Sequence, residues 1–114
     1  MIDREIKPYD LWFAKVAHED EPEVCDDRPV LVIDEKKGIY AALKITSTKP
    51  RQDFWGEYTI KKWRQAGLSN PSTIRISKFL RLETDDFRRK IGTLRMVDII
   101  GVQNYINWIY KNSL

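Results

Sequence analysis

The chain of 114 residues has one cysteine, Cys25, and one histidine, His18. A lone cysteine cannot close an internal disulfide, and Cys25 stands in an acidic run without the spaced partners a zinc site needs. That usage suits a reducing compartment, and no metal or other cofactor is expected. Long apolar runs are missing as well. The first ten residues, MIDREIKPYD, are charged, so neither a signal peptide nor a membrane span is expected, and the protein is read as cytoplasmic. No internal repeat or low-complexity tract breaks the chain. Its length suits a single domain over residues 1–114, large enough to bury a core without staples.

Apolar residues make up 42% of the sequence, which fits a globular chain. The net charge of +3 is unevenly spread. Residues 1–35 hold 11 Asp/Glu against 4 Lys/Arg, and residues 36–114 hold 6 against 16. A basic body with an acidic first third can offer one face to a polyanion, although charges of both signs also coat ordinary soluble surfaces.

The stretch Asp26–Thr48 organises the rest. Pro29–Ile33 and Ile39–Ile45 are apolar runs separated by Lys36-Lys37-Gly38, the pattern of a β-hairpin. Arg28 stands before the first run and Thr46-Ser47-Thr48 ends the second, so an antiparallel pairing brings a guanidinium beside hydroxyls at one rim of a sheet. Upstream, Asp10–Ala17 reads as a strand with Trp12, Ala14 and Val16 on one side and Leu11 and Phe13 on the other. His18–Asp27 reads as an acidic loop, and Lys49–Gly56 as a loop of basic and aromatic residues. Glu57–Leu68 is expected to form a short helix through Ile60, Trp63 and Ala66, with Gly67 as its C-cap. Ser72–Ser77 alternates as a strand, which Phe79–Leu82 continues or follows with another. Thr84-Asp85-Asp86 looks like a helix N-cap leading a basic turn through Lys90, and Ile91-Gly92-Thr93 a last short strand. Arg95–Asn112 is the clearest helix, with a stripe of Ile99, Val102, Ile106 and Ile109 flanked by Tyr105 and Trp108. The fold expected from these elements is mainly β with α: a small, bent antiparallel sheet or partial barrel carrying a C-terminal helix.

Several of these segments together resemble the MazF/PemK toxins of bacterial type II toxin–antitoxin pairs. They are the early Asp-Leu-Trp strand, RPVLVID, ALKITST, AGLSNPSTIRISK, RKIGTL and the closing helix, covering about Tyr9 to Trp108. The resemblance implies an SH3-like barrel, usually a homodimer. It also implies metal-free, sequence-selective cleavage of single-stranded RNA, and an antitoxin partner whose disordered tail blocks the site. Residue by residue, Arg28 matches the family's Arg-Pro-Val arginine, and Thr46 matches the hydroxyl residue ending the third strand. Arg75 falls where some PemK-like members carry a second catalytic arginine. Two positions along, those members carry an aspartate where this chain has Ser77. A non-catalytic relative that binds protein or RNA is the alternative, and a gyrase-poisoning toxin on the same superfamily fold is a weaker third.

Metal-free RNA cleavage needs a base for the 2′-hydroxyl, a stabiliser for the phosphorane and a proton for the 5′-oxygen. A guanidinium can hold phosphate oxygens bidentately, which makes Arg28 the first candidate and Arg75 the second. Thr46 is expected to orient the phosphate, and His18 has the ordinary pKa range of a proton-transfer group. Ser47, Lys49, Arg51, Trp55 and Ser77 are candidate RNA contacts, since single strands bind where bases stack on aromatics beside cations. Each has a plainer reading. Arg28 also suits an ion pair with Asp26, Asp27 or Asp34, Thr46 and Ser47 suit a turn, and Phe54 and Trp55 suit the core. The Arg88-Arg89-Lys90 cluster reads as a solvated face.

Overall fold

A computed structural model describes residues 5–47 and 56–112. It holds six strands, all paired antiparallel, and one long helix, in the order β1 (Asp10–Ala17), β2 (Cys25–Lys36), β3 (Ile39–Thr46), β4 (Glu57–Thr59), β5 (Thr73–Glu83), β6 (Phe87–Thr93) and α1 (Met96–Asn112). Across the sheet they run β4-β5-β3-β2-β1-β6. The expected class, mainly β with a closing helix, is the one observed.

The β2–β3 hairpin forms where the apolar runs place it, with Val30 opposite Lys44 and Leu31 opposite Leu43. Its tip is the two-residue turn Lys37-Gly38, with φ of 54° and 79°. Positive φ at both positions gives the turn the twist that matches its strands, and Gly38 adopts it without steric cost. The Glu35 carboxylate accepts the Gly38 N–H at 2.9 Å and ties the turn down.

Alternation along the strands splits the core between the two faces of the sheet. On one face Trp12, Ala14 and Val16 pack with Val30, Val32, Ala42, Leu82 and Phe87. On the other, Leu11, Leu31, Leu43, Ile45, Ile74 and Ile76 pack with Val102 of α1. Full burial of each leucine or isoleucine contributes about 1.5–3 kcal/mol, so these two layers hold the sheet. Phe13 takes neither layer; the Arg89 guanidinium lies 4.4 Å from the centre of its ring.

Helix α1 uses its expected stripe. Val102 is buried, Ile99, Ile106, Ile109 and Tyr105 are half-buried, and Trp108 is 54% exposed. Its first turn carries Asp98, which is fully buried and accepts three hydrogen bonds. These come from the Tyr58 hydroxyl at 2.7 Å and the backbone N–H groups of Lys61 and Lys62 at 2.8 and 2.9 Å. Burial and the Asp98 carboxylate together raise the Tyr58 phenol well above its ordinary value.

Three local expectations are corrected. Glu57–Leu68 is not a helix: its first three residues form β4 on β5, and the rest is a run of turns. The bonds there change step, Ala66 N–H to Lys62 O, Gly67 N–H to Arg64 O and Leu68 N–H to Trp63 O, so no helical ladder develops. The cap signal at Thr84-Asp85-Asp86 is real, with Glu83 and Asp86 forming a capping box, yet it closes only one 3₁₀ turn. The chain then enters β6, because Phe87 is buried against the Trp12 and Tyr40 rings at 5.7 and 5.1 Å. Finally, Cys25–Asp27 belongs to β2 rather than to the preceding loop. Of the two readings open for Phe79–Leu82, continuation of the preceding strand is the one observed, in β5.

Candidate functional site

The rim at the ends of β1, β2 and β3 holds a cleft of about 200 Å³, lined by Val16, Ala17, His18, Glu19, Arg28, Lys44, Ile45, Thr46 and Arg75. Three of its walls follow from strand register. Arg28 sits opposite Ala14 on β1, and the Val30–Lys44 pair brings Arg28 and Thr46 to the same end of the hairpin. Lys44 and Thr46 are two apart on β3, so both face the cleft. Arg75 is directly opposite Lys44 on β5.

That last pairing depends on a distortion. The β3–β5 ladder shifts register between Leu43, opposite Phe79, and Lys44, opposite Arg75, so three residues of β5 bulge out. The bulge is pinned by Gly56, whose carbonyl accepts the N–H groups of Ile76 and Ser77 at 2.6 and 3.3 Å. The Gly56 N–H in turn donates to the Tyr105 hydroxyl of α1 at 2.6 Å. Bulges bend a strand and re-aim its side chains; this one brings Arg75 to the rim.

Each cation of the cleft is met by a carboxylate. Arg28 Nη2 lies 3.5 Å from Asp26 Oδ2, and the same oxygen lies 2.6 Å from His18 Nε2. The His18 hydrogen bond is the largest influence on the Asp26 carboxyl; desolvation opposes it, and the attraction of His18 and then of Arg28 adds to it, so that the carboxyl lies below its ordinary value. Lys44 Nζ reaches Glu19 Oε1 at 3.3 Å, and Lys78 Nζ reaches that atom at 3.4 Å. Glu19 is lowered in turn, chiefly by Lys44. Arg75 Nε faces Glu57 Oε2 at 3.9 Å, where Glu57 is only 6% exposed.

Of the residues singled out in the sequence, the fold thus gathers Arg28, Thr46, Arg75 and His18 in one cleft. Ser47 and Ser77 are exposed and lie outside its lining. Lys49, Arg51, Phe54 and Trp55 lie outside the described residues. Lys44, Glu19 and Glu57 were not anticipated. The alternation Lys44-x-Thr46 was a usable signal for Lys44, whereas Glu57 is reached only through β4–β5 pairing. Among the described residues, no three His, Cys, Asp or Glu side chains gather as metal ligands.

The family model of PemK-like, MazF-like toxins of type II toxin–antitoxin systems matches residues 7–110. The chain belongs to that family. Its fold is similar to that of the Mycobacterium tuberculosis toxin MazF-mt6, with a TM-score of 0.68 and 19% identity over 90% of this chain and 96% of that one. A second solved structure, described as an Mtb toxin, aligns with a TM-score of 0.60 and 18% identity over 82% of this chain and 96% of that one. No curated protein matches in sequence. Among the described residues, no helix of this PemK/MazF-family chain is long and apolar enough to cross a membrane.

Proposed function

We propose that this PemK/MazF-family toxin is a cytoplasmic, metal-independent endoribonuclease that cuts single-stranded RNA at a short sequence motif. The observation that supports this most is the convergence of Arg28, Arg75, Thr46 and His18 on one open cleft. Arg28 holds two oxygens of the scissile phosphate and stabilises the charge that builds on the phosphorane. Arg75, from the opposite strand, adds a second positive charge. The Thr46 hydroxyl donates to a phosphate oxygen and orients it.

His18 is the base in this scheme. The Asp26 carboxylate at 2.6 Å accepts a hydrogen bond from Nε2–H, which keeps that proton on Nε2 and leaves the Nδ1 lone pair to accept the 2′-hydroxyl proton. The O2′ then attacks phosphorus and the bond to O5′ breaks. The products are a 2′,3′-cyclic phosphate and a 5′-hydroxyl that takes its proton from solvent at the open side of the cleft. The guanidinium groups supply the charge stabilisation that a metal supplies in other nucleases.

An antitoxin and a second copy of this chain are the proposed protein partners. Met96, Val97, Ile100 and Tyr110 leave the outward side of α1 apolar and exposed, which suits burial against another chain.

The test is incubation of the purified protein with long mixed-sequence RNA in EDTA, with product ends mapped, beside Arg28→Ala. Cleavage at one motif with cyclic-phosphate ends is expected, and the variant is expected to lose about 10²–10³ in rate. Its stability should be unchanged, because the Arg28–Asp26 pair is solvent-exposed. Near wild-type cleavage by the variant would remove Arg28 from the mechanism. No cleavage at any concentration of folded protein would favour a relative that binds without cutting.

A further inference from the structure

Lys44 and Lys78 have no part in the chemistry above, yet their placement is unusual. Lys44 sits directly opposite Arg75 across the β3–β5 ladder. Like charges directly opposite one another in a sheet repel, so a fold that keeps them needs an anion close by. Lys44 is also only 19% exposed, so its ammonium group is held at the cleft instead of extending into water. The bulge of β5 then brings Lys78 in from the strand's far side. Both ammonium groups converge on a single atom, Glu19 Oε1, at 3.3 and 3.4 Å.

One anionic oxygen shared by two ammonium groups is the arrangement that a phosphate oxygen would also satisfy. Glu19 is suited to leave it. It belongs to the loop between β1 and β2, its side chain is 51% exposed, and exposed ion pairs of this kind are weak. The loop is tied by the backbone bonds His18 N–H to Val24 O and Val24 N–H to Glu21 O and by the His18–Asp26 side-chain contact, none of which uses the Glu19 side chain.

We propose that Lys44 and Lys78 form a second phosphate station, which takes the backbone phosphate of a nucleotide next to the scissile one, and that Glu19 occupies it until RNA arrives. The station rests on the ribonuclease reading of the same cleft. Arg28 and Arg75 hold the reacting phosphate, and the lysine pair, sharing Lys44 with the cleft wall, holds the next. RNA entry is an exchange of anions: the carboxylate swings out and a phosphodiester takes its place. The acidic loop thereby lowers the affinity of the cleft for any polyanion that cannot fill both stations.

The experiment measures equilibrium binding of a short mixed-sequence 2′-fluoro oligoribonucleotide, which lacks the attacking hydroxyl and cannot be cut, between roughly 50 and 200 mM salt. Wild type, Lys44→Gln, Lys78→Gln, Lys44→Arg and Glu19→Gln are compared, with cleavage of ordinary RNA by the wild type measured alongside. Each Lys→Gln change should weaken binding about three- to tenfold and lower the salt slope by about 0.7, the value for one lost phosphate contact on a single strand. Glu19→Gln should tighten binding about threefold, and Lys44→Arg should bind like wild type. Lys78 is more exposed than Lys44, so Lys78→Gln serves if Lys44→Gln does not fold.

Unchanged affinity and slope in the folded Lys→Gln variants overturn the station, as does weaker binding by Glu19→Gln. If the wild type cuts RNA while those variants bind normally, the ribonuclease reading stands and the station falls. If the wild type binds with the expected lysine dependence but cuts nothing, the station stands and the ribonuclease reading falls. A wild type that neither binds nor cuts overturns both.

Discussion

Asp98 and Asp26 are both aspartates at the start of an element, and the protein uses them in opposite ways. Asp98 is fully buried and satisfied by neutral donors, the Tyr58 hydroxyl and two backbone N–H groups. Asp26 is half-exposed, and its partners are His18 and Arg28. Neutral donors around a buried carboxylate cannot be replaced by water, so the Asp98 cluster locks α1 to β4. Ionisable partners around an exposed carboxylate can be taken over by an arriving anion, so the Asp26 cluster stays available. Strand β4 joins the two regions. Glu57 faces Arg75 at the cleft, and its neighbour Tyr58, pointing to the other side of the strand, bonds Asp98.

The comparison breaks most visibly at Asp98. Asp98→Ala removes the acceptor of three bonds and strands buried donors, at a cost of about 3 kcal/mol or more. For a domain of this size the melting midpoint should fall by about 10–15 °C. Asp98→Asn should lose less. Its remaining oxygen can keep the two donors that use Oδ1, Tyr58 and Lys61, and only the Lys62 N–H faces an amide that cannot accept. Thermal melts of the two variants check the order, and equal losses would mean that the charge of Asp98 matters more than its bonds.

A smaller effect is expected at Gly101. Alanine in place of glycine inside a helix ordinarily stabilises by about 0.8–1 kcal/mol. Here a Cβ would overlap the Tyr58 hydroxyl and ring, driving the phenol off Asp98. Overpacking of this kind costs about 1–3 kcal/mol and exposes the same buried bonds, so Gly101→Ala should destabilise by about 1 kcal/mol net. Urea denaturation checks the sign. A more stable Gly101→Ala protein would show that Tyr58 moves aside freely and that the lock is loose.

These two sites also show what could be read from the residues alone. The hairpin, the alternation of Trp12, Ala14 and Val16, and the stripe of α1 were legible because each is a local period that the fold uses unchanged. So was the meeting of Arg28 with Thr46, which follows from hairpin register. Glu57–Leu68 was misread because Ile60, Trp63 and Ala66 do share a helical spacing, but β4 is claimed by β5 and the Lys61 and Lys62 N–H groups by Asp98, partners distant in sequence. The stretch after Asp86 was misread because a true capping box closes one turn there, and burial of Phe87 then draws the chain into β6. Glu57 is reached only through β4–β5 pairing, and the meeting of Lys44 with Arg75 depends on a bulge in β5 whose extra residues carry no local signature.

The smallest effect separates the two regions by acid. The His18 hydrogen bond first, joined by the attraction of His18 and then of Arg28 and opposed by desolvation, holds the Asp26 carboxyl below its ordinary value of 3.8. Because its pKa is lower in the folded than in the unfolded chain, the contribution of this pairing is fully present above the ordinary carboxylate range. It is lost as pH falls through the lowered native value. Glu19 behaves in the same direction below its ordinary 4.5, through Lys44 first. Both groups are exposed, so the melting midpoint should barely respond to their titration, while the cleft's arrangement should. The direct reading is the carboxyl carbon shift of Asp26 followed by NMR from neutral pH downward. Its midpoint should lie below 3.8 in the wild type. It should rise most in His18→Ala and less in Arg28→Ala, following the order of the two causes. A midpoint indifferent to His18 would mean that the short contact does not hold the imidazole in solution, and the orienting role given to Asp26 would fall with it.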